Sequence, residues 1–498
     1  MRRFDLTLPA RRRLKPLHRA LAGLLPMLAV AAILWAPPIL AQDVDAQVED
    51  ILRETAEVRG LALRSPVPAA ALESGSLQAL LMRDLESDDA VREYRVSGIL
   101  LETLGLIPAG FDLRRFQMEV LREHVGSLYD REQRRLIVVA DGAPPSVLDK
   151  AILAHEAAHA LQDQHFDLRR LLPAQGASAD GRMAATALVE GDAMLTMTQW
   201  GRRFLTPDEK LSLDEPRPSS GVLAAAPLIV RAELEFPYLE GQYFAIQLYQ
   251  EGGFAAIDRA LADPPRSTEQ IIHPEKYLAR EAPRQVDLPP LSGALGGSTW
   301  RLLRTDVLGE LVLRVLIQET LDWPAAEVAA TGWGGDAYAV LEDGAGRRLV
   351  VADTAWDSEA DAAEFFNAYA EAVAGRFGPA LREVQSQPSL IRWSAPGMLI
   401  QILHSGDRLR LTIGPDVATL DAVDARFEVD RPVVLVRAPA TPPAAGSPTP
   451  APDDGPATAE PTSDDAAVTP SPVPGDAADP TAPQPDAPAP PGLDPDEE

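Results

Sequence analysis

The C-terminal end of the chain has a composition that cannot form a hydrophobic core. Residues 441–498 contain 17 prolines and twelve acidic residues, with no lysine or arginine and almost no large apolar side chain. Such a segment cannot bury enough apolar surface to offset the entropy that it would lose on ordering. We therefore expect residues 431–498 to be a disordered acidic tail, so that the fold is built by the residues before it.

The N-terminus has the pattern of an export signal. Residues 1–41 contain seven basic residues and one acidic residue, and the basic residues precede an apolar run from Ala20 to Leu40. A signal-peptide cleavage site follows at Ala41–Gln42. The alternative is an uncleaved membrane anchor, because the run is nearly long enough to span a bilayer. Both alternatives predict an extracytoplasmic protein that is secreted or anchored to the cell membrane by its N-terminal segment.

Charge and cysteine content exclude several kinds of function. The formal net charge is −28 over 498 residues, and without a basic surface to bind phosphates we expect no nucleic-acid partner. Cysteine is absent, which excludes disulfides, thiolate metal sites, cysteine nucleophiles and iron–sulfur clusters. Any metal site in this chain must therefore be built from histidine and carboxylate side chains.

The sequence between the two ends changes in character near residue 296. Residues 42–295 have a mainly helical pattern, because apolar side chains recur every three to four positions. Residues 296–430 contain two pairs of strand-like runs, which flank the turn sequences Asp343-Gly-Ala-Gly346 and Ser405-Gly-Asp407. We predict the α+β class, with a mainly helical domain and a small edge sheet at 42–295 and a small α+β domain at 296–430.

Three of the seven histidines lie between residues 155 and 165. His155 and His159 are four residues apart, so on a helix they share one face and can offer two imidazole nitrogens to one zinc ion. Glu156 lies about 100° round the helix, where it can reach a metal-bound water without being a ligand. Zinc lowers the pKa of that water, and the glutamate accepts its proton. The pattern His-Glu-x-x-His is the signature of zinc metallopeptidases.

A catalytic zinc ion needs a third protein ligand, and the sequence offers two candidates. Glu190 lies in an otherwise apolar helical stretch, where burying a carboxylate is costly unless it pairs with a cation. His165 is the alternative, but on an unbroken helix it points about 240° away from His159. Asp163 and Asp192 are candidates to orient a ligand. We predict these metal ligands: His155, His159 and Glu190.

The stretch from His155 to Leu168, together with Glu190-Gly-Asp-Ala193, resembles zincins of the gluzincin type and is similar to exported bacterial proteins. The resemblance implies helices packed on a small sheet, whose edge strand receives an extended substrate. The strand around Leu136–Val139 stands where that edge strand would be. It also implies that residues 42–295 are a zincin-like metallopeptidase domain with Zn²⁺ as its cofactor.

The activity that the resemblance implies is hydrolysis of peptide bonds in a protein or peptide substrate. In this mechanism Glu156 takes a proton from water and passes it to the leaving amine. Such enzymes usually add a tyrosine or histidine that donates a hydrogen bond to the developing oxyanion. Tyr238 and His273 are the candidates for this role, so the predicted catalytic residues are Glu156, Tyr238 and His273.

Three other functions are compatible with this sequence. One is a catalytically inactive zincin-like protein, which binds metal but does not cleave. Another is a cell-surface interaction protein, in which the α+β region and the acidic tail matter and the histidines are structural. The third is a hydrolase of non-peptide amides, which would use the same catalytic residues as a peptidase. The presence of all four residues of the motif favours the enzyme: His155, Glu156, His159 and Glu190. The substrate and the oligomeric state do not follow from the sequence.

Overall fold

The structure, a computed structural model, describes residues 41–123, 126–139, 145–172, 177–214 and 221–429. The predicted signal segment, except its last residue, and the whole predicted tail lie outside these ranges. None of the helices within the described ranges is long and apolar enough to cross a bilayer.

The chain up to residue 292 is mainly helical where it is described. Its helices are α1 Ala41–Arg59, α2 Ser74–Leu85, α3 Asp88–Leu104, α4 Leu113–Glu123, α5 Val147–Phe166, α6 Leu168–Leu171, α7 Ala179–Phe204, α8 Pro207–Asp214, α9 Gly221–Ala224, α10 Leu228–Gly252, α11 Phe254–Ala262, α12 Thr268–Ile272 and α13 Pro274–Leu278. This part also contains a small sheet of three strands, β1 Ala69–Leu72, β2 Leu128–Asp130 and β3 Arg135–Val139.

The two helices that carry the predicted metal ligands, α5 and α7, have well-defined starts. A capping box opens α5, because the Ser146 hydroxyl accepts from the Asp149 N–H (3.2 Å) and the Asp149 carboxylate accepts from the Ser146 N–H (2.7 Å). Ser178 caps α7 by accepting the N–H of Gly181 at 3.0 Å. The two helices pack against each other and against α1, and α7 also packs on α10.

The small sheet has the order β1-β3-β2, with β3 parallel to β1 and antiparallel to β2. The predicted edge strand at Leu136–Val139 is therefore wrong, since this strand is central and is paired on both sides. The sequence did not predict β1 as a neighbour of this strand, because Ala69-Ala-Ala-Leu72 has no strand-like pattern. Within the described residues β2 is an edge strand, and it lies against α5.

A larger antiparallel sheet dominates the described chain after residue 292. Its strands are β4 Gly293–Leu295, β5 Ser298–Asp306, β6 Trp333–Asp343, β7 Arg348–Trp356, β8 Arg382–Gln387, β9 Leu390–Ala395, β10 Met398–Ser405 and β11 Arg408–Gly414, in the order β4-β5-β6-β7-β11-β10-β9-β8. The helices of this part are α14 Gly309–Gln318, α15 Trp323–Ala330, α16 Glu359–Phe377 and α17 Val417–Val429, with a 3₁₀ turn at Gly378–Ala380. The two predicted hairpins are confirmed as β6–β7 and β10–β11.

One hydrophobic core joins the helices to the large sheet. It contains buried side chains from both sides of residue 295, among them Leu100, Leu188, Phe244, Val340 and Trp356. A smaller core lies between the opposite face of the sheet and α17. The mixed α+β class is confirmed, and a shared core holds α7 and the large sheet together, while the buried side chains of α5 pack in a separate core with α1.

Candidate metal centre

Three predicted ligand atoms meet between α5 and α7. The distance from His155 Nε2 to His159 Nε2 is 3.0 Å, and the distances from these atoms to Glu190 Oε2 are 3.0 and 3.3 Å. The two histidines come from consecutive turns of α5, and the glutamate comes from the facing side of α7. All three side chains are largely buried. The structure thus brings together the three residues that the sequence predicts as ligands.

The spacing of these atoms fits a tetrahedral zinc ion. Zinc bonds of about 2.0–2.1 Å place neighbouring ligand atoms about 3.3–3.4 Å apart. The observed separations of 3.0, 3.0 and 3.3 Å are close to that length. Two imidazoles and a carboxylate also form a donor set that catalytic zinc uses, with a fourth position left for water. The donor chemistry and the geometry of the cluster therefore fit zinc.

Charges within the cluster are strongly coupled. Burial lowers the pKa of His159, but the charge and hydrogen bond of Glu190, together with Glu156 and Gln162, outweigh burial and raise this pKa to about 9. Burial likewise works against ionisation of Glu190, yet the charge of His159 and hydrogen bonds from both histidines hold its pKa well below the usual value. Glu190 is therefore ionised at neutral pH, which is the form that binds a cation.

A chain of buried hydrogen bonds orients His159. Its Nδ1 lies 2.8 Å from Gln162 Oε1, while the Gln162 amide nitrogen donates to Asp192 Oδ2 at 2.8 Å and to the carbonyl of Val189 at 3.0 Å. Since the carbonyl oxygen of Gln162 can only accept, His159 Nδ1 carries a hydrogen. In the neutral ring, Nε2 then has a lone pair that faces the cluster. Arg59 holds Asp192 in turn, at 2.7 Å.

Glu156 lies beside the ligand cluster without belonging to it. Its Oε2 accepts the backbone N–H of Tyr129, in the edge strand β2, at 2.7 Å. Burial raises the pKa of Glu156, although the charges of His159 and His155 and the Tyr129 hydrogen bond act in the opposite direction. A carboxylate with a raised pKa is a stronger base than an exposed glutamate, as a general base requires.

Two glycines bring Tyr238 to the cluster. Helices α7 and α10 cross at Gly191 and Gly241, where a Cβ on either residue would overlap backbone atoms of the other helix. This close approach places Tyr238 of α10 beside the ligands, with its ring centroid 6.3 Å from that of His155. Tyr238 is 38% exposed, and the charge of Glu190 raises its pKa, so its hydroxyl stays protonated and can donate a hydrogen bond.

Three other predicted residues lie away from the cluster. Within the described residues, the His273 ring pairs with Glu310 at 2.9 Å and with Glu275 at 3.8 Å, and it makes no contact with the ligands. His165, the alternative third ligand, has its Nε2 2.8 Å from the carbonyl of Ala62. Asp163 accepts from the Tyr129 hydroxyl at 2.9 Å, whereas Asp192 orients a ligand through Gln162.

The sequence interpretation missed Gln162, Tyr129 and Arg131. The first two act through an amide and a backbone N–H, neither of which has a sequence signature. Arg131 follows β2 directly, and burial lowers its pKa, with Glu190 as the strongest of the charges that oppose this effect. The only sequence signal for Arg131 was its place in a turn next to the predicted strand.

Comparison with known proteins bears on a different part of the chain. A family described as a domain of unknown function, DUF8575, matches residues 300–424. This range runs from β5 to α17 and contains neither α5 nor α7. No curated protein and no solved structure matches the chain. The match therefore concerns the large sheet, and the function has to be argued from the geometry of the cluster.

Proposed function

We propose that this chain is an extracytoplasmic zinc metallopeptidase. The observation that carries the proposal is the triangle of His155 Nε2, His159 Nε2 and Glu190 Oε2, with Glu156 beside it. Zinc bound by these three residues would acidify a water molecule and polarise the scissile carbonyl. The extracytoplasmic location rests on the N-terminal sequence pattern.

Each remaining step belongs to a side chain of this protein. Glu156 takes the proton of the attacking water, and its raised pKa lets it hold that proton until the leaving amine accepts it. The Tyr238 hydroxyl, which keeps its proton at neutral pH, donates a hydrogen bond to the developing oxyanion. His273 has no part in this mechanism, because its ring is engaged by Glu310.

The edge strand β2 is the part of the site that would bind substrate. The Tyr129 N–H points to Glu156 and therefore away from β3. An extended peptide that adds to this edge, which pairs with no other strand of the described residues, would have its main chain next to Glu156 and the three ligands. We therefore assign substrate binding to β2 and no longer to the strand Leu136–Val139.

A cleavage assay with a Glu156→Gln variant tests the proposal. We expect the full chain to hydrolyse a fluorogenic peptide library, with activity abolished by a zinc chelator and restored by zinc. Because general-base catalysis contributes about 10²- to 10⁴-fold, we expect Glu156→Gln to lose about that factor while keeping its zinc. Glu119→Gln, on the surface of α4, is the control and should retain activity. Activity that survives Glu156→Gln would disprove the mechanism, and bound zinc without any cleavage would favour the non-cleaving alternative.

A further inference from the structure

The hairpin between β2 and β3 carries three arginines with different surroundings. Arg134 lies 3.3 Å from Asp163, and Arg135 lies 3.5 Å from Asp130. Arg131 is half-buried, and no carboxylate of the described residues lies within 4.0 Å of it. A half-buried guanidinium without a carboxylate partner can take an anion from outside the chain, so an arginine at such a position calls for an explanation.

Arg131 lies at the end of β2, the strand whose Tyr129 N–H bonds to Glu156, and is within electrostatic range of the metal centre. Glu190 is the strongest of the acidic groups that act on its charge, ahead of Glu132, Asp163 and Asp130. Glu190, however, is held by the two histidines of the cluster, and the two aspartates are paired with the other arginines of the hairpin. Each neighbouring buried carboxylate is thus already committed to another cation.

Arg131 is not needed to shape the turn on which it stands. The Asp130 carboxylate accepts the N–H groups of Glu132 and Gln133, both at 3.0 Å, and so fixes the turn by itself. The ion pair of Arg134 with Asp163 fastens the hairpin to the end of α5. A purely structural role therefore leaves the position of the Arg131 side chain unexplained.

We propose that Arg131 binds a carboxylate of the peptide substrate, either a terminal carboxylate or that of an Asp or Glu side chain near the scissile bond. This inference rests on the proposed function and adds a substrate class to it. Arg131 stands two residues beyond Tyr129, roughly 6–7 Å along an extended chain, so a peptide on the β2 edge would reach it. The guanidinium fork matches a carboxylate with two parallel hydrogen bonds.

Peptide binding to a zinc-loaded Glu156→Gln protein tests this role without turnover. The first pair of probes is acetyl-tetra-alanine as the free acid and as the C-terminal amide. The second pair is acetyl-Ala-Ala-Glu-Ala-amide and the same peptide with glutamine in place of glutamate. Calorimetry measures the dissociation constant of each probe. We expect one acidic probe to bind at least tenfold more tightly than its neutral partner. The acidic probe that shows the preference identifies the source of the carboxylate.

Arginine variants assign the preference to Arg131. In the same background Arg131→Gln should abolish it and Arg131→Lys should keep part of it because the charge remains. Arg170→Gln, at an exposed arginine of α6, is the control that should retain the preference. Equal binding of acidic and neutral probes, no binding of any probe, or a preference that survives Arg131→Gln would overturn the inference. Binding with the expected preference, but no cleavage by the unmutated chain, would contradict the proposed function and leave this inference standing.

Discussion

Gln162 is the residue that connects the face of α5 bearing His155 and His159 to the interior of the protein. It fixes the ring of His159 on one side and is itself held by Asp192 and the backbone of α7 on the other. A neutral side chain in this position can orient a ligand without adding charge beside the cluster. It thereby ties the ligand geometry to the packing of the two helices.

Replacing Gln162 should weaken zinc binding while leaving the ligands in place. Gln162→Leu removes the hydrogen-bond partner of His159 and leaves Asp192 without that donor, so we expect zinc affinity to fall about 10- to 100-fold. Competition with a chromogenic chelator measures this. Gln164→Leu, two residues further on, is the control, because Gln164 contacts the backbone of residues 64 and 65. A Gln162→Leu affinity equal to that of the control would refute this role.

Glu233 gives the protein a pH-dependent stability. It is 4% exposed on α10, and burial raises its pKa from 4.5 to about 8. Between these pH values the unfolded chain loses a proton that the folded chain keeps, so this group makes unfolding easier as pH rises. Glu233→Gln should therefore stabilise the protein by roughly 3 kcal/mol more at pH 8 than at pH 5.

Urea unfolding at the two pH values measures the contribution of Glu233. The half-exposed Glu235, on the same helix, provides the control variant Glu235→Gln, because it removes a carboxylate that is more open to solvent than Glu233. If the stability difference between the unmutated chain and Glu233→Gln does not change with pH, Glu233 does not have a raised pKa in the folded protein.

At the scale of single residues, the sequence predicts those parts of the cluster that helix geometry fixes. The four-residue spacing of His155 and His159 is enough to place them together, and Glu190 is conspicuous as a carboxylate among apolar neighbours. Gln162 and Arg131 could not be predicted, because their roles depend on how α5 docks against α7 and on where a turn points.

The crossing of α7 and α10 is the element-scale feature on which the site depends. Gly191 and Gly241 allow contact between the two backbones, and their neighbours in sequence, Glu190 and Glu240, flank the crossing. Tyr238 reaches the cluster only because the helices approach so closely. A side chain at either glycine would separate the helices and move Glu190 away from the histidines.

Gly191→Ala should destabilise the protein by about 2–3 kcal/mol and weaken zinc binding, because the added methyl group overlaps the backbone of α10. Gly201→Ala is the matched control on the same helix, since a Cβ there meets only the side chain of Leu205 at an ordinary 3.5 Å. The control should stabilise the helix by up to about 1 kcal/mol. Thermal unfolding and zinc titration report both effects, and equal behaviour of the two variants would exclude the crossing as the cause.

Strand pairing is where sequence-based prediction at the element scale was weakest. Turn sequences were sufficient to predict the β6–β7 and β10–β11 hairpins, because local glycine chemistry determines them. The partners of β3 are distant in sequence on one side, and β1 is rich in alanine, so nothing local indicates that pair. The small sheet was therefore expected in the right place but with the wrong strand at its edge.

At the scale of the whole molecule, the sequence pattern predicts the α+β class but not the packing of its parts. The change in sequence pattern near residue 296 marks the start of the large sheet, yet a single hydrophobic core includes side chains from both sides of it. Ion pairs such as Arg348 with Glu102, at 2.7 Å, also link the sheet to the helices. Long-range packing of this kind leaves no periodic signal in the sequence.

The zinc content of the purified full chain tests the central proposal most directly. By mass spectrometry we expect about one zinc per chain, a value that falls severalfold in Glu190→Ala and stays unchanged in His165→Ala. The two variants distinguish the ligand that lies in the cluster from the alternative that lies outside it. A chain that binds no zinc, or one that keeps its zinc in Glu190→Ala and loses it in His165→Ala, would contradict the proposed metal centre.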